Sequence, residues 1–350
     1  MIKVTQIEKS KISTIDFENL SFGTVFTDHM MICDFKNGQW QEAEIKPYEP
    51  FTLDPSASVF HYGQALFEGM KAYKDESGDV FLFRPDQNVK RFNKSSERMS
   101  IPEFPEDIFI EGLSKLIQLD AQWVPQGEGQ SLYLRPFVLA TEACIQANPS
   151  KEYRFAIICS PVSSYFSGAV KVKIEDHYSR ATPGGFGYAK AAGNYAGQFY
   201  PTELAKAEGF HQIIWTDATS HEYIEEAGTM NVFVRIGDTL ITNPTSDTIL
   251  DGVTRKSLIQ LAQDLNIPME IRPIAIKELI EASEKGDLLE LFGAGTAAVI
   301  SLIEEFSYKG KKYSIDHNEN SYASLLKSTL TDIQLNRGKD EHQWRYKISL

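Results

Sequence analysis

The sequence predicts an α/β protein, closer to α+β in its layering, built as two domains. At 350 residues the chain exceeds the roughly 250 to 300 at which a single hydrophobic core stops growing. Along it, short strand-like runs alternate with stretches of helical period, and a segment rich in turn formers falls near the middle. Hydrophobic residues at 42% and charged residues at 24% describe an ordinary folded protein, so no part is expected to be disordered.

From Met31 to about Val80, FKNGQW, KPYEPFTL and DESGDVFLF read as antiparallel strands broken by turns. After Pro85 the period becomes helical, with Val89, Phe92, Ser96 and Met99 on one side and Lys90, Arg91, Lys94 and Arg98 spread around the rest. A second helix is expected from about Asp107 to Asp120, and SLYLRPFVLA and YRFAIICSPV follow as strands. These elements make a smaller domain over residues 1–166. Residues 167–183, ending RATPGG, are expected as the interdomain linker. The larger domain, 184–350, alternates strands in FHQIIWTD, MNVFVRI, DTLITNP and DLLELFGAG with helices near Ala196 to Glu208, Thr254 to Leu265 and Ile276 to Lys285. Pro201 falls inside the first of these helices, where it should either open a new segment or kink the existing one.

A net charge of −13 repels phosphate backbones and anionic lipid, which argues against nucleic acid and membrane partners and leaves a small molecule as the expected ligand. Cys33, Cys144 and Cys159 are widely spaced and form no CxxC pair, so buried thiols in a reducing compartment are expected. The first residues carry Glu8, Asp16 and Glu18 and no apolar run, and no segment approaches a membrane span, so a cytoplasmic protein is expected.

The most informative stretch runs from Glu226 to Arg255, EAGTMNVFVRIGDTLITNPTSDTILDGVTR. It orders an acid beside a Gly, an Asn before a strand, a Leu-x-Thr strand and a Gly-Val-Thr-Arg helix entry. Each part alone is weak, since a Thr opening a helix is usually just a cap. In this order and spacing they resemble the signature of the fold type IV, or class IV, aminotransferases. FGTVFTDHM (22–30), HYGQALFEGMKAY (61–73), LYLRP (132–136), GYAKAAGNY (187–195) and FGAGTA (292–297) extend the resemblance over nearly the whole chain, to the branched-chain amino acid aminotransferases. D-amino acid aminotransferases and aminodeoxychorismate lyases share the central signature but not, as a set, the first two of these blocks.

The resemblance implies a two-domain fold with pyridoxal 5′-phosphate in the cleft between the domains, and a homodimer. Lys190 is then the catalytic, Schiff-base lysine, in a flank small and low in charge that would let it be buried with a lowered amine pKa. Glu226 would hold the pyridine nitrogen protonated, with its neighbour Glu225 left as a turn or surface charge. Tyr195 would donate to the phenolate oxygen. For the phosphate, the Gly252-Val253-Thr254 turn offers N–H groups at a helix start, Thr254 its hydroxyl, Arg91 a fork, and the Gly295-Thr296-Ala297 turn unobstructed amides. Thr229 is implied at both cofactor and substrate, and Thr296 and Ala297 near the substrate carboxylate. Phe22, Tyr62, Phe67, Tyr133 and Tyr165 would line an apolar pocket, with Arg135 meeting the distal carboxylate of glutamate. No metal site is implied. A run of Ala298-Val299-Ile300-Ser301 stands where some animal relatives carry a redox-active CxxC. The function so implied is reversible transfer of the amino group of leucine, isoleucine or valine to 2-oxoglutarate. The rivals are an aminodeoxychorismate lyase on the same fold, which the first two blocks argue against, and a catalytically silent binding protein, which the joint presence of Lys190, Glu226, Arg91 and Thr254 argues against.

Overall fold

The alternation of SLYLRPFVLA gives strand Ser131–Ala140, in which Leu132, Leu134, Val138 and Ala140 are fully buried and Arg135 and Phe137 only partly. It pairs antiparallel with Tyr153–Val162 along its whole length, from Ser131↔Val162 to Ala140↔Tyr153. Both strands begin and end where the sequence places them. The computed structural model describes residues 2–17, 19–162, 168–316 and 320–350. By its internal contacts the chain divides into two units: Met1–Tyr165, Ala189–Gly193 and Asp332–Leu350 form the first, and Phe166–Tyr188 and Asn194–Thr331 the second.

In the first unit the sheet order is Lys3–Val4, Glu44–Pro47, His29–Lys36, Tyr153–Val162, Ser131–Ala140, Met70–Lys74, Val80–Phe83, Arg345–Ile348. Helices Pro85–Arg98 and Glu106–Leu119 contribute Val89, Phe92, Phe109, Leu113 and Leu116 to its core. Phe104 stacks on Phe155 at 3.8 Å between centroids, and Phe92 meets the same ring edge-on at 5.5 Å. Gly112 lets its helix approach the sheet, because a Cβ there would collide with Met31 Sδ.

In the second unit the order is Met269–Ile271, Thr239–Thr242, Met230–Ile236, Leu288–Gly295, Val299–Tyr308, Val170–Ile174, Gln212–Thr216, Tyr223–Ala227, Ile274–Ala275. Tyr223–Ala227 also pairs with Met230–Ile236, so the ladder closes on itself. Helices Val253–Asp264 and Ile276–Lys285 stand where expected, the latter ending at Gly286 with φ +76°. The helix expected from Ala196 is two pieces, Gly193–Ala196 and Phe199–Ala207. Pro201 lies in the first turn of the second piece, where its missing N–H has no intrahelical acceptor to lose, so it opens a new segment.

Several boundaries differ from the sequence reading. The stretch 167–183 contains strand Val170–Ile174, which pairs parallel with Gln212–Thr216 and Val299–Tyr308, so it builds the second sheet and is not merely a linker. Residues 189–193 and the C-terminal strand group with the first unit, against the expected single larger domain over 184–350. Leu66 bridges Ala191, Ala192 N–H donates to Ala65 O at 3.0 Å, and Arg345–Ile348 pairs with Val80–Phe83. Cys33 and Cys159 are buried, but Cys144 is only partly so. Burial, reinforced by Asp34, pushes the Cys33 thiol up to about 12, which leaves it unreactive. Among the described residues no helix is long and apolar enough to cross a membrane.

Candidate active site

In the first unit Lys190 is half-buried, and its backbone is pinned on both sides. Its N–H donates to Ser95 Oγ at 3.0 Å, and its carbonyl accepts the Phe67 N–H at 3.1 Å. Its amine stands over the Phe67 ring, 4.6 Å from the centroid. The Arg135 guanidinium lies against the same ring at 4.4 Å and donates to the Tyr133 hydroxyl at 3.0 Å, while Phe22 meets Tyr133 edge-on at 4.9 Å. Lys190, Phe67, Arg135, Tyr133 and Phe22 therefore form one cluster. Tyr133 and Arg135 share a face because they are two apart in a strand. Gly69 leaves the Tyr133 hydroxyl room that any Cβ would fill. The Arg135 Nε is buried with no hydrogen-bond partner, a polar demand that a ligand carboxylate could meet.

Arg91 is buried, contrary to the ordinary expectation of a solvated helix charge. Its Nε and Nη2 grip Glu68 at 2.7 and 2.9 Å, and the Glu68 side chain is wholly buried. Asn88 Nδ2 donates to the same carboxylate at 2.8 Å, and Ser95 Oγ returns a bond to Arg91 O at 2.8 Å. Asn88, Arg91 and Ser95 follow the i, i+3, i+7 spacing of one helix face. Burial pushes the Glu68 carboxyl up, but the Arg91 charge and hydrogen bonds, the Lys190 charge and Asn88 together hold it below its ordinary value. Sequence reasoning missed Glu68. Its only signal is a charge inside the apolar run ALFEGM.

In the second unit Glu226 lies within strand Tyr223–Ala227, not in a turn. Its Oε1 accepts the Leu250 N–H at 2.8 Å and Asn231 Nδ2 at 3.2 Å, and Arg180 Nη2 stands 3.1 Å from its Oε2. Glu225 is buried as well, which corrects its reading as a turn or surface charge: Thr248 Oγ1 donates to it at 2.5 Å. Burial raises the Glu225 carboxyl above its ordinary range, partly offset by that bond and by the Arg180 charge. Arg180 and Thr248 were not foreseen, because their partners are brought by sheet pairing and by a segment taken as linker, whereas Asn231 is the Asn of the signature stretch, read there without a partner.

Asn231 also donates to Leu250 O at 2.8 Å, tying the strand pair to the start of helix Val253–Asp264. Gly252 is the cap of that helix and makes no side-chain capping bond, so the first-turn N–H groups of Val253, Thr254 and Arg255 present the donor end of the helix. A Cβ at Gly252 would collide with Asn231 Oδ1, which explains glycine there. Strands Met230–Ile236 and Leu288–Gly295 pair with Asn231 opposite Ala294. The turn holding Thr229 and the turn holding Thr296 and Ala297 therefore lie at the same end of the pair. Thr229 is exposed, and Gly295, Thr296 and Ala297 are half-buried. Val299 closes the second turn at φ +61°, a conformation that costs a β-branched residue about 1 to 3 kcal/mol.

The structure thus gathers Phe22, Phe67, Tyr133, Arg135, Arg91 and Lys190 in the first unit. In the second it gathers Glu226, Thr229, Gly252, Val253, Thr254, Gly295, Thr296 and Ala297. Tyr195 sits half-buried in helix Gly193–Ala196. Tyr62 is 47% exposed and gives its hydroxyl to the Ile145 carbonyl. Tyr165 lies outside the described residues. Taken unit by unit, the helix start beside a fixed carboxylate in the second and the lysine among aromatic rings in the first are groups of the kind that a phosphorylated pyridine aldehyde needs.

A sequence profile described as "Amino-transferase class IV" matches residues 65–285. The chain is 44% identical over 339 residues to "Branched-chain-amino-acid transaminase 1" of Bacillus subtilis (strain 168), covering 95% of each. With a profile match over more than half its length and a relative this similar, the chain belongs to the class IV aminotransferases, in their branched-chain group. Among solved structures it resembles the branched-chain aminotransferase of the archaeon Thermoproteus uzoniensis with norvaline, at a TM-score of 0.76 and 22% identity, covering 92% of this chain and 100% of that one. It also resembles the Thermobaculum terrenum enzyme in its PLP form, at a TM-score of 0.75 and 18% identity, covering 92% and 99%. At such identities these likenesses show the fold alone: the two-domain fold type IV.

Proposed function

We propose that the chain is a pyridoxal-phosphate-dependent transaminase that moves the amino group of leucine, isoleucine or valine to 2-oxoglutarate and back. The observation that carries the reading is the placement of the Lys190 amine over Phe67, beside Arg135 and Tyr133, in a chain 44% identical to a branched-chain transaminase. The cofactor would be held by Lys190 covalently, by Arg91, the Gly252-Val253-Thr254 helix start and the Gly295-Thr296 turn at its phosphate, and by Glu226 and Tyr195 at its ring, with Thr229 alongside. Bound there, it supplies a sink for the electron pair left when the substrate Cα–H bond breaks.

The protein's own groups divide the remaining work. Lys190, as a free amine, would take the substrate Cα proton as general base and return it, on the same face, at the other end of the conjugated system. Glu226 holds a fixed negative charge whose position the Leu250 N–H and the Asn231 amide set. Phe22, Phe67, Tyr133 and Tyr62, with Tyr165, accept the branched side chain, whose burial contributes about 1.5 to 3 kcal/mol. The Ala297 and Thr296 amides bind the α-carboxylate, and Arg135 meets the second carboxylate of 2-oxoglutarate or glutamate. The same reading makes the protein a cytoplasmic homodimer, which sedimentation would test.

Lys190→Ala is expected to abolish leucine-dependent glutamate formation while leaving some non-covalent cofactor uptake, since the phosphate donors do not depend on the lysine. Multiple turnovers at the wild-type rate in that variant would overturn the assignment.

A further inference from the structure

Arg180 has no place in the chemistry so far, yet it is among the most deeply buried charges of the second unit. Its side chain is 5% exposed and that of Glu226 4%, with Nη2 3.1 Å from Oε2. The same Nη2 donates to Thr248 O, and both terminal nitrogens lean on Gly187 O at 3.4 Å. Glu226 Oε1 is already engaged by Leu250 and Asn231, so Arg180 is the cation that faces the other oxygen. Glu225, one residue earlier, accepts the Thr248 hydroxyl and feels the Arg180 charge as well, but of the two only Glu226 lies in ion-pair contact with it. A carboxylate taken out of water becomes neutral unless a partner compensates its charge. Leu250 and Asn231 supply dipoles, whereas Arg180 supplies a full charge that cannot be deprotonated.

We propose, resting on the reading of Glu226 as the pyridine partner, that Arg180 is a positioning residue for the transamination. It keeps the Glu226 carboxylate ionised and aimed, and through it the ring nitrogen protonated, without touching substrate or cofactor itself. A purely structural Arg180 would instead serve only to tie residues 187 and 248 together. Lysine separates the two roles, because it keeps the cation beside Glu226 but cannot reproduce the guanidinium's bonds to both carbonyls.

The test uses the full chain loaded with pyridoxal phosphate labelled with 15N in the ring, as wild type, Arg180→Gln, Arg180→Lys, Glu226→Gln and the double variant Arg180→Gln/Glu226→Gln. Arg180→Gln is expected to lower kcat roughly tenfold with little change in KM for leucine, in the range seen for coupled residues in contact. Its ring-nitrogen shift should move towards the unprotonated position, as in Glu226→Gln. In the Glu226→Gln background the same substitution should change kcat less than about twofold, since its partner is already lost. Arg180→Lys should restore the nitrogen shift even where it melts lower. Equal losses in both backgrounds, an unmoved nitrogen shift in Arg180→Gln, or Lys behaving as Gln would overturn the proposal. If Arg180→Gln does not fold, the Lys variant alone decides by its nitrogen shift. Failure of the underlying reading looks different: the wild type would then take up no cofactor or leave leucine unchanged.

Discussion

Glu68 holds the charge on which Arg91 depends, and that pair is the clearest place to test the site one residue at a time. Glu68→Gln keeps the shape but strands a buried guanidinium, and breaking such a pair costs about 3 to 5 kcal/mol. Because the folded carboxyl lies below its ordinary value of 4.5, its contribution is fully present above that value and is lost as pH falls through the folded one. The melting temperature of Glu68→Gln should therefore sit well below wild type at neutral pH, and the gap should narrow as the pH drops below that ordinary value. A gap independent of pH would mean that the pair's charge is not what is lost. Arg135 allows a second test, since only the dicarboxylate brings it a second charge. Arg135→Met should slow the single-turnover reaction with 2-oxoglutarate more than that with leucine, and equal losses would make it a structural or α-carboxylate residue. At this scale the sequence shows Lys190 and Glu226 plainly, because their motifs are local. Glu68 and Arg180 escape it, because their buried partners are supplied by elements far apart in the chain.

Strands and helices with strong local signals are legible in the same way. Met230–Ile236, Ser131–Ala140 and helix Ile276–Lys285 stand within the bounds that alternation and helical period set. Others were hidden by composition: Val170–Ile174 reads VKVKI, too short and too charged beside its turn-rich neighbours to stand out from a linker. Helix Tyr322–Gln334 was missed, and its start is fixed from outside by Glu290. That fully buried carboxylate accepts the Tyr322 N–H at 2.7 Å, the Ala323 N–H at 2.8 Å and the Ser321 hydroxyl at 2.9 Å. Arg235 pairs with it at 2.9 Å and lies against the Tyr322 ring at 3.7 Å. Glu290→Gln removes the charge that Arg235 and the helix donors share. The expected cost is about 3 to 5 kcal/mol, read as a lower urea midpoint with faster amide exchange across 322–334. Unchanged exchange there would show that the helix is anchored by other contacts.

Across the whole molecule, the order of residues in the chain is not the order of the units. Ala189–Gly193, carrying Lys190, rejoins the first unit in the middle of the second unit's sequence, and the last strand closes the first sheet at Val80–Phe83. Neither return could be read from periodicity, since each depends on pairing across more than a hundred residues. Lys190 and Arg91 belong to the first unit and Glu226 and Thr254 to the second. The central claim is that this set transfers an amino group from a branched-chain amino acid. Its most direct test is to mix the cofactor-loaded protein with leucine alone and follow a single turnover. The account predicts about one equivalent of the 2-oxo acid of leucine per site, no ammonia, and a visible cofactor band lost until 2-oxoglutarate restores it with formation of glutamate, as a ping-pong transfer requires. Release of ammonia, or a band that leucine leaves unchanged, would contradict it.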